Sequence, residues 1–255
     1  MAPATEIVFI PLSEENYPDD VNSAPGKKFK DILATILAQD GVQRLSWGRQ
    51  VETPGTLTMF IDWDSVDHHK KFMSTEAYGP FMQEVGSMVS GDLGMYHVHF
   101  DPHPPTKALV DTSAHVTEFI TAYFPKGYSA EDQKTFTDSM NKFVDVVGST
   151  ADGFKAAIGG FVEEELIDPK SSEPCLGYVA LIGWTSVEAH LKYRETRAFK
   201  DNIHYLRGAK DLKNVAVFHV PAKEVQKGSL WGWSVFEPYY IETYRNIYSK
   251  TLLRS

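Results

Sequence analysis

Trp63-Asp64-Ser65-Val66-Asp67-His68-His69 and Trp184-Thr185-Ser186-Val187-Glu188-Ala189-His190 are one segment written twice, 121 residues apart. Leu57, Phe60 and Ile61 precede the first copy, and Tyr178, Leu181 and Ile182 precede the second. Phe72, Thr75, Ala77 and Tyr78 follow the first, and Tyr193, Thr196, Ala198 and Phe199 follow the second. Trp, Ser, Val, an acid, His, an aromatic, Thr, Ala and an aromatic recur in register. A constant offset over such a stretch marks an internal repeat.

The repeat extends outward more weakly. Phe9-Ile10 is paired with Phe119-Ile120 at an offset of 110, Gly41 and Gly48 with Gly153 and Gly160 at 112, and His99 with His219 at 120. The jump from 112 to 121 places a nine-residue insertion near Asp168–Pro174, whose Pro/Ser-rich composition reads as a lengthened hairpin loop. The expected units are residues 1–104 and 113–221. Pro102-His103-Pro104-Pro105-Thr106-Lys107 between them reads as a stiff linker.

Each unit reads β-α-β-β-α-β. Glu6–Pro11 is an apolar strand, and Ser23 caps a helix with Pro25 in its first turn. Phe29, Ile32, Leu33, Ile36 and Leu37 follow at helical spacing, and Gly41 stops the helix. Val42–Val51 and Thr56–Asp62 flank the turn Glu52-Thr53-Pro54-Gly55. Ser65 caps a second helix that Pro80 breaks or restarts, and Met95–Phe100 is the last strand. In the second unit Ser129-Ala130-Glu131-Asp132 opens a helix striped by Phe136, Met140, Phe143 and Val147. This order is the ferredoxin-like split βαβ. Its sheet has one face without helices, and two copies in one chain can pack those faces together. The fold class is therefore α+β: tandem ferredoxin-like units forming an intrachain pseudo-dimeric barrel, with a C-terminal helical tail.

The Trp-x-Ser-x-(Asp/Glu)-x-His segment, with a strand ending in Trp, a Ser-capped helix and aromatic/Ser/Thr residues after it, resembles the antibiotic-biosynthesis-monooxygenase-like branch of the dimeric α+β barrel superfamily. The resemblance covers residues 1–221 as architecture and about twenty specific residues per copy. It implies a tandem barrel, and an activity among cofactor-free oxygenases, haem-degrading oxygenases, isomerases, polyketide cyclases or proteins without chemistry. Fold alone does not choose between these. The haem-degrading members place an axial His at the positions held here by Met82 and Ile203; His204 stands one residue later, about 100° round a helix.

Composition narrows the classes further. Lys and Arg number 25 and Asp and Glu 34, giving a net charge of −9. Such a chain lacks the basic clustering that nucleic acid or an anionic membrane requires. No apolar run is long enough to span a bilayer. A lone cysteine, Cys175, forms no intrachain disulfide. The N-terminal segment lacks a signal-peptide pattern, so a cytoplasmic location is expected. No phosphate-binding glycine loop or serine-hydrolase elbow occurs, and no cofactor is expected.

The candidate catalytic residues are His69, His190, His97 and His99. His69 and His190 lie four residues after their Ser caps, on the helix face that should look at the sheet. There each is either a general base or a buried structural histidine. His97 and His99 share a strand face and, with His103 and Asp101, could hold a metal; a polar cavity lining is the competing reading, and no metal site is assigned. The candidate substrate-binding residues are Trp47, Trp63, Arg49, Tyr78, Tyr96, Trp184 and His219. Trp63 and Trp184 form aromatic walls or core packing. Arg44, Trp47, Arg49, Tyr96 and His97 face Ala156, Gly159, Phe161, Ala216 and Val217 in the second unit. That asymmetry predicts the better-formed polar pocket in the first unit.

Residues 222–255 carry seven aromatics between Trp231 and Tyr248. The expectation is a helix over residues 238–252 docked on the barrel through Tyr240, Tyr244 and Tyr248. Three functions stay open: a cofactor-independent oxygenase, cyclase or isomerase of secondary metabolism acting on a small hydrophobic, aromatic or polyketide-like molecule; a non-catalytic ligand-binding or stress-associated barrel; and a haem- or metal-binding barrel. A small hydrophobic molecule is the expected partner, with a homodimer left open.

Overall fold

The computed structural model describes residues 2–109 and 115–225. The first unit comprises strand β1 (Ala4–Pro11), helix α1 (Ala24–Leu37), strands β2 (Val42–Arg49) and β3 (Thr56–Trp63), helices α2 (Val66–Met73) and α3 (Tyr78–Gly86), and strand β4 (Gly94–Val98). A short helix α4 (Thr106–Leu109) leads to the second unit. That unit holds β5 (Val116–Pro125), α5 (Ala130–Thr150), β6 (Phe154–Phe161), β7 (Leu166–Ile167), β8 (Pro174–Trp184), α6 (Val187–Arg194), α7 (Arg197–Asn202), α8 (His204–Arg207) and β9 (Asn214–Val220). A last strand, β10 (Lys223–Val225), follows.

The helix starts are set locally. Ser23 Oγ accepts from Gly26 N at 3.0 Å, and Ser129 Oγ from Asp132 N at 3.1 Å, so each side chain satisfies an orphan N–H. Ser186 caps α6 in the same way, whereas Ser65 Oγ pairs with His68 Nδ1 at 2.9 Å instead. Pro80 lies in the first turn of α3, so the chain restarts a helix there after α2 ends at Met73. Helix α1 ends at Leu37, before Gly41. That glycine has φ +81° and, like Gly153 at φ +90°, turns the chain into the following strand, a backbone that favours glycine.

Both sheets are antiparallel. The first has the order β10-β2-β3-β1-β4 and the second β6-β8-β5-β9, with β7 added beside β8. Strand alternation then sorts the side chains. On one face of β1, Ile10 joins Phe29, Leu33 and Leu37 of α1. On the other, Ile7 meets the second sheet. One buried cluster takes Ile7, Phe60, Tyr96 and Val98 from the first sheet and Phe119, Val179, Leu181 and Val220 from the second. The aromatic rings interlock there: Phe9 meets Phe119 edge-on at 5.9 Å, and Phe119 stacks on Phe218 at 4.6 Å. The helix-free sheet faces thus form the centre of the pseudo-dimer, as two-layer packing requires.

Several details differ from the sequence expectation. Ala4 pairs with Trp63 and Val116 with Trp184, so β1 and β5 correspond at an offset of 112. The proposed Phe9/Phe119 equivalence, at 110, is two residues out. Glu6 pairs with His97 and Glu118 with His219, so His219 matches His97 rather than His99. Directly after the Pro-rich joint the chain enters the core, where Ala108 and Leu109 of α4 are buried between the sheets. Cys175, directly after the inserted loop, is buried in β8. Residues 223–225, expected to begin the tail, pair with Leu45–Trp47 of β2 and extend the first sheet. The expected helix over 238–252 lies outside the described residues.

Candidate active sites

Each unit encloses a cavity between its sheet and its helices. The first, of about 180 Å³, is lined by Glu6, Trp63, His69 and Tyr78 among apolar side chains. The second, of about 170 Å³, is lined by Glu118, Trp184, His190 and Tyr193. The period of the repeat explains the match: α2 and α6 start one turn before His69 and His190, and each histidine turns inward toward the Trp ending the adjacent strand. Trp63 stacks on His69 with centroids 5.1 Å apart and planes 20° apart; Trp184 stacks on His190 at 5.1 Å and 22°.

Behind each inner histidine stands a second one. His69 Nδ1 lies 2.9 Å from His97 Nε2, and His190 Nδ1 lies 2.8 Å from His219 Nε2. A carboxylate from the opposite unit fixes the second ring. Glu164, just after β6, accepts from His97 Nδ1 at 2.5 Å and from the His97 backbone N–H at 2.7 Å. Glu52, in the β2–β3 turn, does the same for His219 at 2.5 and 2.8 Å. Backbone bonds lock the exchange: Glu163 N donates to His97 O, and Val51 N to His219 O, both at 2.9 Å. Each site is therefore completed by a hairpin of the other unit.

This network assigns the tautomers. A carboxylate can only accept, so His97 donates from Nδ1 and accepts at Nε2 from His69 Nδ1–H. The remaining lone pair of His69 is then on Nε2. The same logic applied to the second unit leaves the His190 lone pair on Nε2, which lies 3.4 Å from Glu118 Oε1.

A buried carboxyl flanks each relay. Glu6 Oε2 accepts from Trp63 Nε1 at 2.8 Å and lies 3.6 Å from His69 Nδ1. Glu118 accepts from Trp184 Nε1 at 3.0 Å. Burial pushes Glu6 up to about 7, against the Trp63 hydrogen bond and the nearby His97, and pushes Glu118 up as well. Burial also drives His69 down to about 4 and His190 down to about 2, aided by the neighbouring imidazoles. Burial alone would raise Glu164, but its hydrogen bonds from the His97 side chain and backbone hold it below the usual carboxylate range. At neutral pH each cavity thus presents an uncharged imidazole beside a carboxyl whose proton burial holds more tightly than usual, and near pH 7 Glu6 retains much of its own. Environments that push two titratable groups apart in this way are the pattern of an acid–base pair.

The other expected site residues divide. Trp63, Tyr78, Trp184, His69 and His190 line the cavities, and His97 and His219 stand directly behind. His99 does not join His97. It lies beyond β4, exposed, bonded to Pro3 O at 2.8 Å and Glu163 Oε2 at 2.9 Å. Tyr96, 5.6 Å from Phe9 of its own sheet, faces the second sheet in the inter-sheet core instead of the cavity. Trp47 packs edge-on against Phe29 at 4.9 Å, in the core beside the cavity. Arg49 is held by Asp19 at 2.9 Å over the Tyr17 ring, and Arg44 by Asp62 at 2.9 Å. The expected polar bias toward the first unit is therefore reversed. Its cavity is lined by Met59, Met82, Met88 and Met95 without a basic side chain other than His69, whereas Arg194 and Arg207 line the second. Glu6, Glu118, Glu52 and Glu164 escaped the sequence reading. Both pairs fall on the 112-residue offset already set by the glycines, which is the signal that could have found them.

Two buried histidines and a carboxylate also describe a metal-ligand set, and Glu6, His69 and His97 bring ligand atoms within 4.8 Å of one another. The ring geometry favours the hydrogen bond. The His69 and His97 centroids are 5.1 Å apart, close to the 2.9 Å N–N separation plus two ring radii, so the nitrogens meet head-on. Imidazoles converging on one ion would instead meet at an angle. For haem, Met82 and Ile203 line the cavities, while His204 is exposed with Nδ1 on Asp201 O at 2.9 Å.

Residues 22–84 match the model of the antibiotic biosynthesis monooxygenase family. Over those residues the chain resembles that family, and its fold is a tandem α+β barrel. An anthrone oxidase-like protein of known structure superposes on this barrel with a TM-score of 0.61 at 13% identity, over 88% of this chain and 94% of its own. A protein provisionally called a monooxygenase, from Lactobacillus acidophilus, gives 0.54 at 12% identity over 89% of this chain and 98% of its own. One from Fusobacterium nucleatum gives 0.54 at 12%, over 89% and 95%. At these identities the likeness concerns the fold, and it spans both units of the tandem barrel. No curated protein matches the sequence. No helix among the described residues is long and apolar enough to cross a membrane.

Proposed function

We propose that this barrel is a cofactor-independent enzyme of the monooxygenase or cyclase/isomerase type, acting on a small hydrophobic, aromatic or polyketide-like molecule. The observation that carries the reading is the duplicated relay: His69–His97–Glu164 at one cavity and His190–His219–Glu52 at the other. The inner histidine takes a proton from an acidic C–H or phenolic O–H at Nε2. Its Nδ1–H bond to the second imidazole spreads the resulting charge toward the distant carboxylate, as the acid of a catalytic triad does for its histidine. Glu6, which burial keeps partly protonated at neutral pH, returns a proton to the product or stabilises the enolate by hydrogen bonding, and Glu118 holds the same place at the second cavity. Apolar walls exclude water, which strengthens both effects. A deprotonated, electron-rich ring is also what a cofactor-free oxygenase exposes to dioxygen.

Anthrone in air-saturated buffer, followed by quinone absorbance and oxygen uptake, tests the reading. Catalysed oxidation that His69→Gln/His190→Gln lowers by about 10²–10⁴-fold supports it. If a panel of anthrones and polyketide phenols reacts no faster with wild type or double variant than in buffer alone, the relay is structural and the barrel is a binding protein; catalysis equal in both would show that the histidines are not the base.

A further inference from the structure

Two arginines separate cavities whose reactive residues are otherwise duplicates. Arg194 ends α6 and Arg207 ends α8, and both line the second cavity. At the 121-residue offset their places in the first unit are held by Met73 and Gly86. Both guanidiniums are exposed, and neither forms an ion pair with a described residue. Arg194 nevertheless reaches inward electrically, since its charge helps depress His190 and works against the burial that raises Glu118. The cavity below them is apolar, walled by Phe143, Ile182, Trp184 and Phe199. A ligand that fits therefore has an aromatic or alicyclic body and one anionic end at the mouth, where guanidinium forks suit carboxylate geometry. The first cavity offers four methionines, soft surface that adapts to shape but solvates no charge.

We propose that the two cavities have diverged in ligand class: the second recognises a hydrophobic acid, its anionic group held by Arg194 and Arg207, and the first a neutral hydrophobic molecule. This rests on reading both cavities as small-molecule sites, not on the chemistry performed there. Duplication permits the split, because each relay remains complete while the walls vary.

The experiment uses a matched pair of fluorescent probes on the full chain. 1-Anilinonaphthalene-8-sulfonate carries the anion, and N-phenyl-1-naphthylamine is its neutral counterpart. The expected result is two neutral-probe sites and one sulfonate site per chain. Arg194→Ala/Arg207→Ala should weaken sulfonate binding about tenfold or more, leave the neutral probe unchanged and leave the melting temperature in place. Arg194→Lys/Arg207→Lys should recover part of the loss. Sulfonate affinity unchanged in the double alanine variant, or two equivalent sulfonate sites, overturns the proposal. Failure of the wild type to bind either probe overturns the small-molecule reading as well. Because turnover is never read, an inactive relay would leave this result standing.

Discussion

The two units keep the same five residues in their buried relays and differ in what surrounds them. Glu6, Trp63, His69, His97 and Glu164 in one site correspond to Glu118, Trp184, His190, His219 and Glu52 in the other, with inter-histidine distances of 2.9 and 2.8 Å. The walls share no such restraint: methionines line one cavity and arginines the mouth of the other. The contrast separates two kinds of constraint. A buried polar chain is costly unless every member is satisfied, so one substitution strands its neighbours. A wall residue at a cavity mouth touches solvent and few partners, and it can change alone.

The strongest way to break the comparison is to silence one relay at a time. If both cavities turn over one substrate, His69→Gln and His190→Gln each remove part of the rate, and only the double variant loses about 10²–10⁴-fold. If the cavities have divided their ligands, each single variant abolishes one reaction and spares the other. Steady-state kinetics on a neutral and an acidic substrate distinguish these cases.

The crossed hairpins predict a crossed phenotype. Glu164→Gln should slow the His69 reaction about 10²-fold with little effect on the His190 reaction, and Glu52→Gln should do the reverse, because an amide no longer stabilises a charged imidazole. Measured in a His190→Gln background, a Glu52→Gln variant should leave the remaining rate intact. A glutamate variant that harmed its own unit would refute the exchange.

Stability against pH sharpens the comparison with the rest of the protein. His69 and His190 are depressed in the folded state. The stability they contribute is full above the ordinary histidine value near 6.5 and is lost as pH falls, toward 4 for His69 and toward 2 for His190. Glu6 is raised from 4.5 to about 7, so its contribution is full below the carboxylate range and lost as pH rises through 7, on the order of 3 kcal/mol. Thermal melts should show a maximum between these limits, with Glu6→Gln flattening the alkaline side. An unchanged alkaline side in that variant would assign the loss elsewhere. Trp63→Phe should cost about 1–3 kcal/mol in denaturant melts by leaving Glu6 without its indole donor, and Trp184→Phe a similar amount.

The smallest expected effect is none. Exhaustive chelation should leave turnover unchanged, since the histidine nitrogens meet each other head-on. Stoichiometric metal in purified protein, with activity lost on chelation and restored by one ion, would reassign Glu6, His69 and His97 as ligands.

Much of the architecture was legible because it is written in local signals. Ser23, Ser129 and Ser186 act as caps, and the Trp-to-His segment repeats without a gap, so the inner histidines found their places. Register was legible only modulo two. Side chains on a strand alternate, so a slip of two residues leaves every apolar position on its original face. That is why His99 stood in for His97 and Phe9 for Ile7. The approach of Glu164 to His97 depends on how the two sheets stack, which no local pattern encodes. The reversed polarity of the cavities has a similar cause: Arg44 and Arg49 were consumed by Asp62 and Asp19, partners distant in sequence.

The crossed hairpins and the β10–β2 pairing also impose an order on biosynthesis. The first unit's own strands are complete at Val98, yet Glu164 is made 66 residues later and Lys223 a further 59. At about 5–20 residues per second, the nascent first unit waits roughly 3–13 s with its His97 ring uncapped, and about as long again with the β2 edge open. During that interval it exposes the apolar sheet face that Phe119 and Val179 later cover, the kind of surface that invites pairing with a neighbouring chain. Fusing the two units in one polypeptide shortens the search for the right partner. It also makes the ribosome's pace, and any chaperone that shields the waiting half, part of how both sites come into being.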